Sequence, residues 1–116
     1  MAAKHSTKPL ASSPIKDILT ELKAGLKRKY GSRLKGVMLF GSYARGDETE
    51  DSDIDVAVIL EDFSHVCTEI ERTGNLVSSL SLKFDTLIAV VPIKEKDWIT
   101  RKTGLLSSIR RDGVAV

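Results

Sequence analysis

The feature that most constrains this chain is a pair of carboxylates at the beginning of an apolar segment. Asp53 lies directly before, and Asp55 within, the run Ile54 to Leu60, whose β-branched residues are typical of a buried strand. Side chains alternate along a strand, so both carboxylates point to one side, with their Cα atoms ~6.5 Å apart. Two carboxylates this close raise each other's pKa, and a bound cation removes the penalty. The pattern predicts a strand that holds a divalent metal at one end.

Ten residues separate these carboxylates from an earlier Gly-Ser turn. Gly41 ends a second short apolar run, Leu34 to Phe40, which we predict to be a strand, and Ser42–Arg45 is predicted to form one turn of helix. Glycine lets the backbone approach a ligand closely, and exposed N–H groups with the Ser42 hydroxyl can donate to a phosphate. Most Gly-Ser pairs are plain turns, so the prediction of a phosphate site depends on the spacing from the carboxylates.

Two further side chains are candidates for phosphate binding. Arg45 presents a planar fork of donors that matches a phosphate, and its alternative role is a salt bridge to the acidic loop that follows. Ser52, at the end of the polar loop 46–52, is a candidate hydrogen-bond donor or cap.

A third carboxylate, Asp85, is predicted as the second residue of a third strand, from Phe84 to Val91, which Pro92 ends. A charge at such a position needs a partner if it is even partly buried. Asp85 is therefore a third metal ligand, a base for an incoming hydroxyl, or one half of an ion pair with a nearby Lys or Arg.

The helices are predicted from apolar spacing and from capping residues. Ser13 and Pro14 begin a helix that ends at Gly31. Its apolar stripe is Ile15, Ile18, Leu19, Leu22, Leu26 and Tyr30. A second helix is expected over Ser64–Leu82, broken or kinked at Gly74. Its buried side would hold Val66, Ile70, Val77 and Leu80.

A closing helical segment is expected from Trp98 to Gly113. Strands and helices thus alternate, which predicts an α/β (α+β) fold with helices packed on a small β-sheet. Residues 14–116 form this one domain, and residues 1–13 are expected to be a flexible arm of small and polar residues.

Charge is distributed unevenly along the chain, although the net charge is only +2. Residues 47–71 hold ten Asp and Glu and no Lys or Arg, whereas residues 1–46 hold ten Lys and Arg against two acids. No aromatic residues interleave with the basic residues of the first helix, which disfavours direct nucleic-acid binding. The dense carboxylates repel one another, and a cation relieves that repulsion.

The single cysteine, Cys67, excludes an internal disulfide, fits a reducing compartment and is expected to be a small buried side chain on a helix. No apolar run is long enough to cross a membrane, and the N-terminus has no apolar core of the kind that signal peptides need. We therefore expect a cytoplasmic protein. His5 and His65 have no partners at the spacing of metal ligands or catalytic triads.

Two rival ion or phosphate sites are excluded by the residues. Asp51 to Asp55 resembles the start of an EF-hand loop, but Val56 and Asp62 occupy the positions that require Gly and Glu. A P-loop is excluded because no Gly-Lys-Ser/Thr follows a glycine-rich turn.

The combined pattern resembles the DNA polymerase beta-type nucleotidyltransferase superfamily. Gly41-Ser42, ten residues, Asp53-Ile54-Asp55 and a later Asp85 match its motif. The fuller strings Gly-Ser-Tyr-Ala-Arg-Gly and Asp-Ser-Asp-Ile-Asp-Val resemble its minimal nucleotidyltransferases, the MNT-type antitoxins. The closing segment 105–114 is similar to their final helix. The resemblance covers about residues 14–116.

This resemblance implies a mixed sheet and a Mg²⁺-dependent enzyme. Asp53 and Asp55 would hold two magnesium ions, and Asp85 would complete one metal site. Gly41 and Ser42 would bind the phosphates of ATP, with Arg45 and Ser52 in support. The resemblance also implies AMP transfer to a tyrosine of a HEPN-type RNase toxin, which that modification silences.

Alternative functions stay open at this stage. The chain is either such an adenylyltransferase or a non-catalytic antitoxin that neutralises the toxin by binding alone. A third alternative is a small-molecule nucleotidyltransferase whose acceptor site is built by a homodimer. The intact set of three carboxylates favours an enzyme, since an idle site would leave clustered charge uncompensated. The sequence specifies neither the nucleobase, the acceptor nor the oligomeric state.

Overall fold

The structure, a computed structural model, describes residues 14–116; the predicted flexible arm and the Ser13 cap lie outside the described residues. Helices and strands alternate as the sequence predicts. In chain order the elements are α1 (Pro14–Tyr30), a 3-10 turn (Gly31–Arg33), β1 (Leu34–Phe40), α2 (Ser42–Arg45), β2 (Ile54–Leu60), α3 (Val66–Arg72), α4 (Gly74–Phe84), β3 (Ile88–Lys94), α5 (Glu95–Thr100), α6 (Gly104–Asp112) and β4 (Val114–Ala115).

The four strands form one mixed sheet in the order β3-β2-β1-β4. β1 and β2 are antiparallel, with Phe40 opposite Asp55. β2 and β3 are parallel, with Ile54 beside Ile88. The two-residue β4 pairs with β1 in antiparallel fashion, with Leu39 opposite Val114. The predicted α/β fold with a small mixed sheet is confirmed.

The larger core lies between α1 and one face of the sheet. Every residue of the apolar stripe predicted for α1 is buried. From β2 the alternate residues Ile54, Val56, Val58 and Leu60 enter this core, each with an exposed fraction of 1% or less. Burial of each such side chain contributes roughly 1.5–3 kcal/mol to folding.

The opposite face of the sheet is covered by α5 and α6. Ala57 and Ile59 of β2 pack there against Ile93, Leu106 and Ile109. β2 is therefore buried on both faces, which explains why its sequence is apolar without interruption after Asp55. Because side chains alternate, Asp55 belongs to the same face as Ala57 and Ile59, the face that α5 and α6 cover.

The predicted helix 64–82 is two helices, α3 and α4, which meet at Thr73. Thr73 is buried, and its hydroxyl donates to the carbonyls of Glu69 and Ile70 (3.1 and 3.0 Å), an alternative to the regular helical ladder. A break near Gly74 was expected, but the helix ends one residue earlier.

The predicted buried side of α3 is wrong. Val66 and Ile70 are 46% and 45% exposed, and Cys67, expected to be buried, is also exposed. α3 instead buries Glu69, whose Oε1 accepts hydrogen bonds from the Tyr30 hydroxyl (2.7 Å) and Arg72 Nε (3.1 Å). The buried side of α3 therefore holds a hydrogen-bonded carboxylate, whereas the apolar spacing predicts that Val66 and Ile70 are buried there.

The third strand is displaced from its predicted position. Phe84 ends α4, Asp85 follows as its cap, and the strand runs from Ile88 to Lys94 with Pro92 inside it. The prediction that Pro92 ends the strand is wrong because β3 is an edge strand, where a residue without an N–H is tolerated.

The closing helical segment is likewise two helices, α5 and α6, separated by residues 101–103. Thr103 caps α6 by accepting a hydrogen bond from the Leu106 N–H (3.2 Å). Gly113 ends α6, as predicted. Within residues 14–116 the structure contains no helix that could cross a membrane.

Candidate functional site

The two carboxylates lie where β1 ends and β2 begins. Asp53 is exposed directly before β2, and Asp55 is half-buried as its second residue. The antiparallel register sets Asp55 opposite Phe40, the last residue of β1. Asp55 is thereby brought next to Gly41, so the two halves of the predicted site meet in space.

Gly41 leaves the space that the Asp55 carboxylate occupies. Its backbone has φ 75° and ψ −157°, a region that is essentially restricted to glycine. A Cβ added at this position would overlap Asp55 Oδ2. A glycine is therefore required at position 41 for two reasons, its backbone conformation and the close approach of a carboxylate.

The turn continues into α2, a single helical turn as predicted. The Gly41 carbonyl accepts the N–H groups of Ala44 and Arg45 (3.1 Å each), and the left-handed Gly46 (φ 80°) ends the turn. Ser42 is the first residue of α2, and the first N–H groups of a helix have no partner within the helix. The Ser42 end of this turn is thus a place where an anion can be bound, directly beside Asp55.

The electrostatics of Asp55 favour a bound cation. Burial is the main cause that raises the pKa of the Asp55 carboxyl, and the charge of Asp53 raises it further; the charge of Arg45 opposes both. Negative charge therefore exceeds positive charge at this point, and a divalent cation would restore the balance. Carboxylate oxygens are ligands that Mg²⁺ prefers, so Asp53 and Asp55 fit a magnesium site.

Arg45 forms the salt bridge that the sequence left open as its alternative role. Its Nε lies 3.3 Å from Asp47 Oδ2, and both side chains are about half exposed or more. An exposed pair of this kind contributes little to stability, so the Arg45 guanidinium is available to a stronger anion. Its position at the end of α2 keeps it near Asp55.

Ser52 has a local role in the described structure. Its hydroxyl accepts a hydrogen bond from the Thr49 N–H (2.9 Å), and its own N–H donates to the Thr49 carbonyl (3.1 Å). Ser52 thereby closes a turn in the loop that leads to Asp53. Its predicted support of the nucleotide stays a prediction.

Asp85 is not brought together with the other two carboxylates. It is exposed at the end of α4 with φ 51°, and within residues 14–116 no three or more His, Cys, Asp or Glu side chains are placed to share one ion. The residue of β3 that pairs with Asp55 is Ala89, which offers no ligand. The prediction of Asp85 as a strand residue is wrong, and its role in catalysis stays a prediction.

Sequence reasoning missed three charged residues around the site. Glu48 has a buried Oε1 without a hydrogen-bond partner in the described part of the chain, and after burial its charge is the second cause that raises the pKa of Tyr43. Asp112 and Arg111, at the end of α6, lie near the end of β1. The only sequence signal for them was the charged run 110–112 before Gly113.

Comparison with known proteins identifies the family of this chain. Residues 19–111 match the family model described as "Nucleotidyltransferase domain". The chain is 33% identical over 107 residues to "Protein adenylyltransferase MntA" of Thermococcus cleftensis, which covers 92% of this chain and 97% of that protein.

Two solved structures have the same fold. One is titled "Crystal structure of the toxin-antitoxin with AMP-PNP" (TM-score 0.58, 24% identity, 81% of this chain and 68% of that chain). The other is a chain of the complex between tri-AMPylated Shewanella oneidensis HEPN toxin and MNT antitoxin (TM-score 0.51, 21% identity, 84% and 70%).

Proposed function

This chain belongs to the nucleotidyltransferase domain family, and we propose that it is the enzyme that transfers AMP from ATP to a protein and thereby acts as an antitoxin. The resemblance inferred from the motifs is thus confirmed at the level of the family. The observation that carries the proposal is the contact between the two halves of the site, where Asp55 occupies the space that Gly41 leaves open.

Asp53 and Asp55 would hold two magnesium ions beside the Gly41-Ser42 turn. Bound there, Mg²⁺ supplies charge that stabilises the attacking and leaving oxygens of an in-line displacement at the α-phosphate. The same two side chains carry the excess negative charge described above, so metal and site are electrostatically matched.

The remaining residues would bind and orient the triphosphate. The backbone at Gly41 allows phosphate to approach, and Ser42 adds its N–H and hydroxyl as donors. Arg45 would exchange its exposed partner Asp47 for a phosphate, since a guanidinium binds phosphate as a charged fork. Ser52 would contribute indirectly, by holding the loop that leads to Asp53.

Asp85 is the least supported member of the proposed site. Two residues separate it from the beginning of β3, and it faces solvent at the end of α4. For it to accept the proton of an incoming hydroxyl or to hold a metal, the segment between α4 and β3 would have to rearrange around the acceptor.

We propose a tyrosine of a HEPN-type RNase toxin as the acceptor. The support is the complex of a tri-AMPylated HEPN toxin with an MNT antitoxin, whose fold this chain shares. A relative that aligns with 92% of this chain is named a protein adenylyltransferase. A phenolic hydroxyl supplied by the partner would then meet the α-phosphate at the edge of the Asp53–Asp55 site.

Co-expression with a HEPN-type toxin tests the proposal. Mass spectrometry should show added AMP on a toxin tyrosine with the wild type, and none with Asp53→Asn combined with Asp55→Asn. Asp51→Asn is the matched control, because it removes an exposed acid from the same loop but leaves Asp53 and Asp55 in place. The contrary outcome is a toxin that stays unmodified with the wild type and is neutralised by both the wild type and the double variant. Neutralisation would then be by contact alone, and the proposed transfer would be wrong.

A further inference from the structure

The end of α6 lies beside the proposed phosphate site. β4 is antiparallel to β1, with Leu39 opposite Val114. Asp112 is the last residue of α6 and comes two residues before Val114, and Leu39 comes two residues before Gly41. The end of α6 therefore lies near the end of β1, where the Gly-Ser turn begins.

Gly113 holds this arrangement. Its N–H donates to the Ile109 carbonyl (2.7 Å), which closes the last turn of α6. A Cβ at Gly113 would overlap that carbonyl and would lie 3.1 Å from Met38 Cε of β1. Only glycine lets the chain turn this tightly from α6 into β4, so the position of Asp112 is set by backbone packing.

Asp112 holds the guanidinium of Arg111 with both carboxylate oxygens. Arg111 Nε lies 3.1 Å from Oδ1, and Arg111 Nη2 lies 3.2 Å from Oδ2. The Asp112 side chain is 21% exposed, whereas that of Arg111 is 71% exposed. The carboxylate is thus mostly covered, and the guanidinium that it holds faces solvent.

Arg45 is the second arginine whose charge acts on Asp112. The hydrogen bond from Arg111 is the main cause that lowers the pKa of the Asp112 carboxyl, and the charges of Arg111 and Arg45 lower it further. Arg45 likewise acts on Asp55. The charge of Arg45 therefore acts on both Asp112 and Asp55, while Arg111 is the arginine that bonds Asp112 directly.

We propose that Arg111 is a second phosphate-binding arginine and that Asp112 is the positioning residue that holds it beside Arg45. The inference rests on the proposed function. A triphosphate with its α-phosphate at Asp53 and Asp55 would extend its β- and γ-phosphates towards the two guanidiniums, which present planar donor forks. Positive charge would then stand where the pyrophosphate leaves, opposite the carboxylates.

The competing explanation is structural. Arginines in the last turn of a helix stabilise its C-terminus whether or not they bind a ligand. Arg110 supplies the matched control, because it lies in the same turn and has the same charge. Its guanidinium bonds the Trp98 carbonyl instead (Nε, 3.1 Å) and lies 5.1 Å from the centroid of the Trp98 ring.

Calorimetric titration of each variant with ATP and with AMP, both with Mg²⁺, tests the inference. Arg111→Gln should weaken ATP binding about tenfold, the effect of one lost charged hydrogen-bonding group, and leave AMP binding unchanged, since AMP lacks the β- and γ-phosphates. Asp112→Asn should raise KM for ATP by less and leave kcat nearly unchanged, and Asp112→Glu should restore part of the loss. Arg110→Gln should leave both nucleotides unaffected.

The outcomes separate this inference from the proposed function. If the wild type transfers AMP to the toxin but Arg111→Gln binds ATP normally, the phosphate role of Arg111 is wrong and the proposed function stands. Equal losses for ATP and AMP, or equal losses in Arg110→Gln and Arg111→Gln, would show a structural role only. A wild type that binds no ATP overturns both.

Discussion

Two segments of this chain place an aspartate beside an apolar run, and of these two aspartates only Asp55 lies against the Gly-Ser turn. At Asp55 the apolar run is the central strand β2, hydrogen-bonded to β1 on one side and to β3 on the other. At Asp85 the apolar run is the edge strand β3, which begins three residues later. Asp85 itself ends α4, with φ 51° and an exposed side chain.

The difference shows what a carboxylate needs to become part of a site. Asp55 is held by two neighbouring strands and faces a glycine whose missing side chain makes room for it. Asp85 closes a helix in the left-handed conformation, which Asp tolerates better than most residues because its short polar side chain can bond locally. An acid next to an apolar run thus marks a site only where the neighbouring backbone prepares space for it.

The largest expected difference between Asp55 and Asp85 is in AMP transfer, and removing each carboxylate in turn tests it. Asp55→Asn should lower AMP transfer by at least about a hundredfold, because metal charge supplies several kcal/mol of transition-state stabilisation. Asp85→Asn should lower it by less than about tenfold. Initial rates of toxin modification at saturating ATP measure both. Comparable losses in the two variants would show that Asp85 joins the site when the acceptor is bound.

The second prediction concerns Gly41, which makes room for Asp55 and, within residues 14–116, has no equivalent beside Asp85. Gly41→Ala should lower the free energy of unfolding by about 1–3 kcal/mol, the cost of a side chain in a backbone region restricted to glycine, and should also displace the Asp55 carboxylate. Chemical denaturation and Mg²⁺ titration measure the two effects. Gly46→Ala is the control, since Gly46 is left-handed too but an added Cβ meets no atom within 4 Å. Normal Mg²⁺ binding by Gly41→Ala would contradict the close contact with Asp55.

The same comparison explains how far the sequence predicts the structure. β1, α2 and β2 were predicted with their observed bounds, because a glycine and two strongly apolar runs all indicate the same elements. Around Asp85 the local signals conflict. Leu80 to Phe84 suits a helix, whereas the residues from Phe84 onwards suit a strand, and only packing against α1 and β2 decides where one ends.

The residues that the sequence could not predict are those placed by tertiary register. Asp112 is brought near the end of β1 because β4 pairs with β1, and a two-residue strand has no recognisable pattern of its own. Glu69 lies in a helix of mixed polarity, and its burial depends on the hydroxyl of Tyr30 from another helix. Neither contact can be inferred from local spacing.

The third prediction concerns the left-handed backbone conformation of Asp85 and its cost in stability. An L-residue in the left-handed region costs about 1–2 kcal/mol, whereas glycine adopts it freely but loses roughly 0.5–1 kcal/mol of chain entropy. Asp85→Gly should therefore raise the free energy of unfolding by about 0.5 kcal/mol, and Asp85→Ala should lower it. Denaturant unfolding of the metal-free protein measures both changes. A gain in stability with Ala would contradict the left-handed assignment.

The last prediction uses the raised pKa of Asp55. Burial, and then the charge of Asp53, raise the pKa of Asp55 above its ordinary value of 3.8 in the folded, metal-free protein. The folded state therefore holds this proton more tightly than the unfolded state does. The stability that the proton contributes is present below about pH 4 and is lost as the pH rises through the folded-state pKa.

Asp55→Asn carries no such proton, so its melting temperature in EDTA should exceed that of the wild type by a gap that opens over this range and then stays level. Mg²⁺ should close or reverse the gap, because only the wild type gains a bound ion. A gap of the same size at pH 3 and pH 7 would mean that the asparagine acts through packing, and that the charge of Asp55 is already balanced by the protein alone.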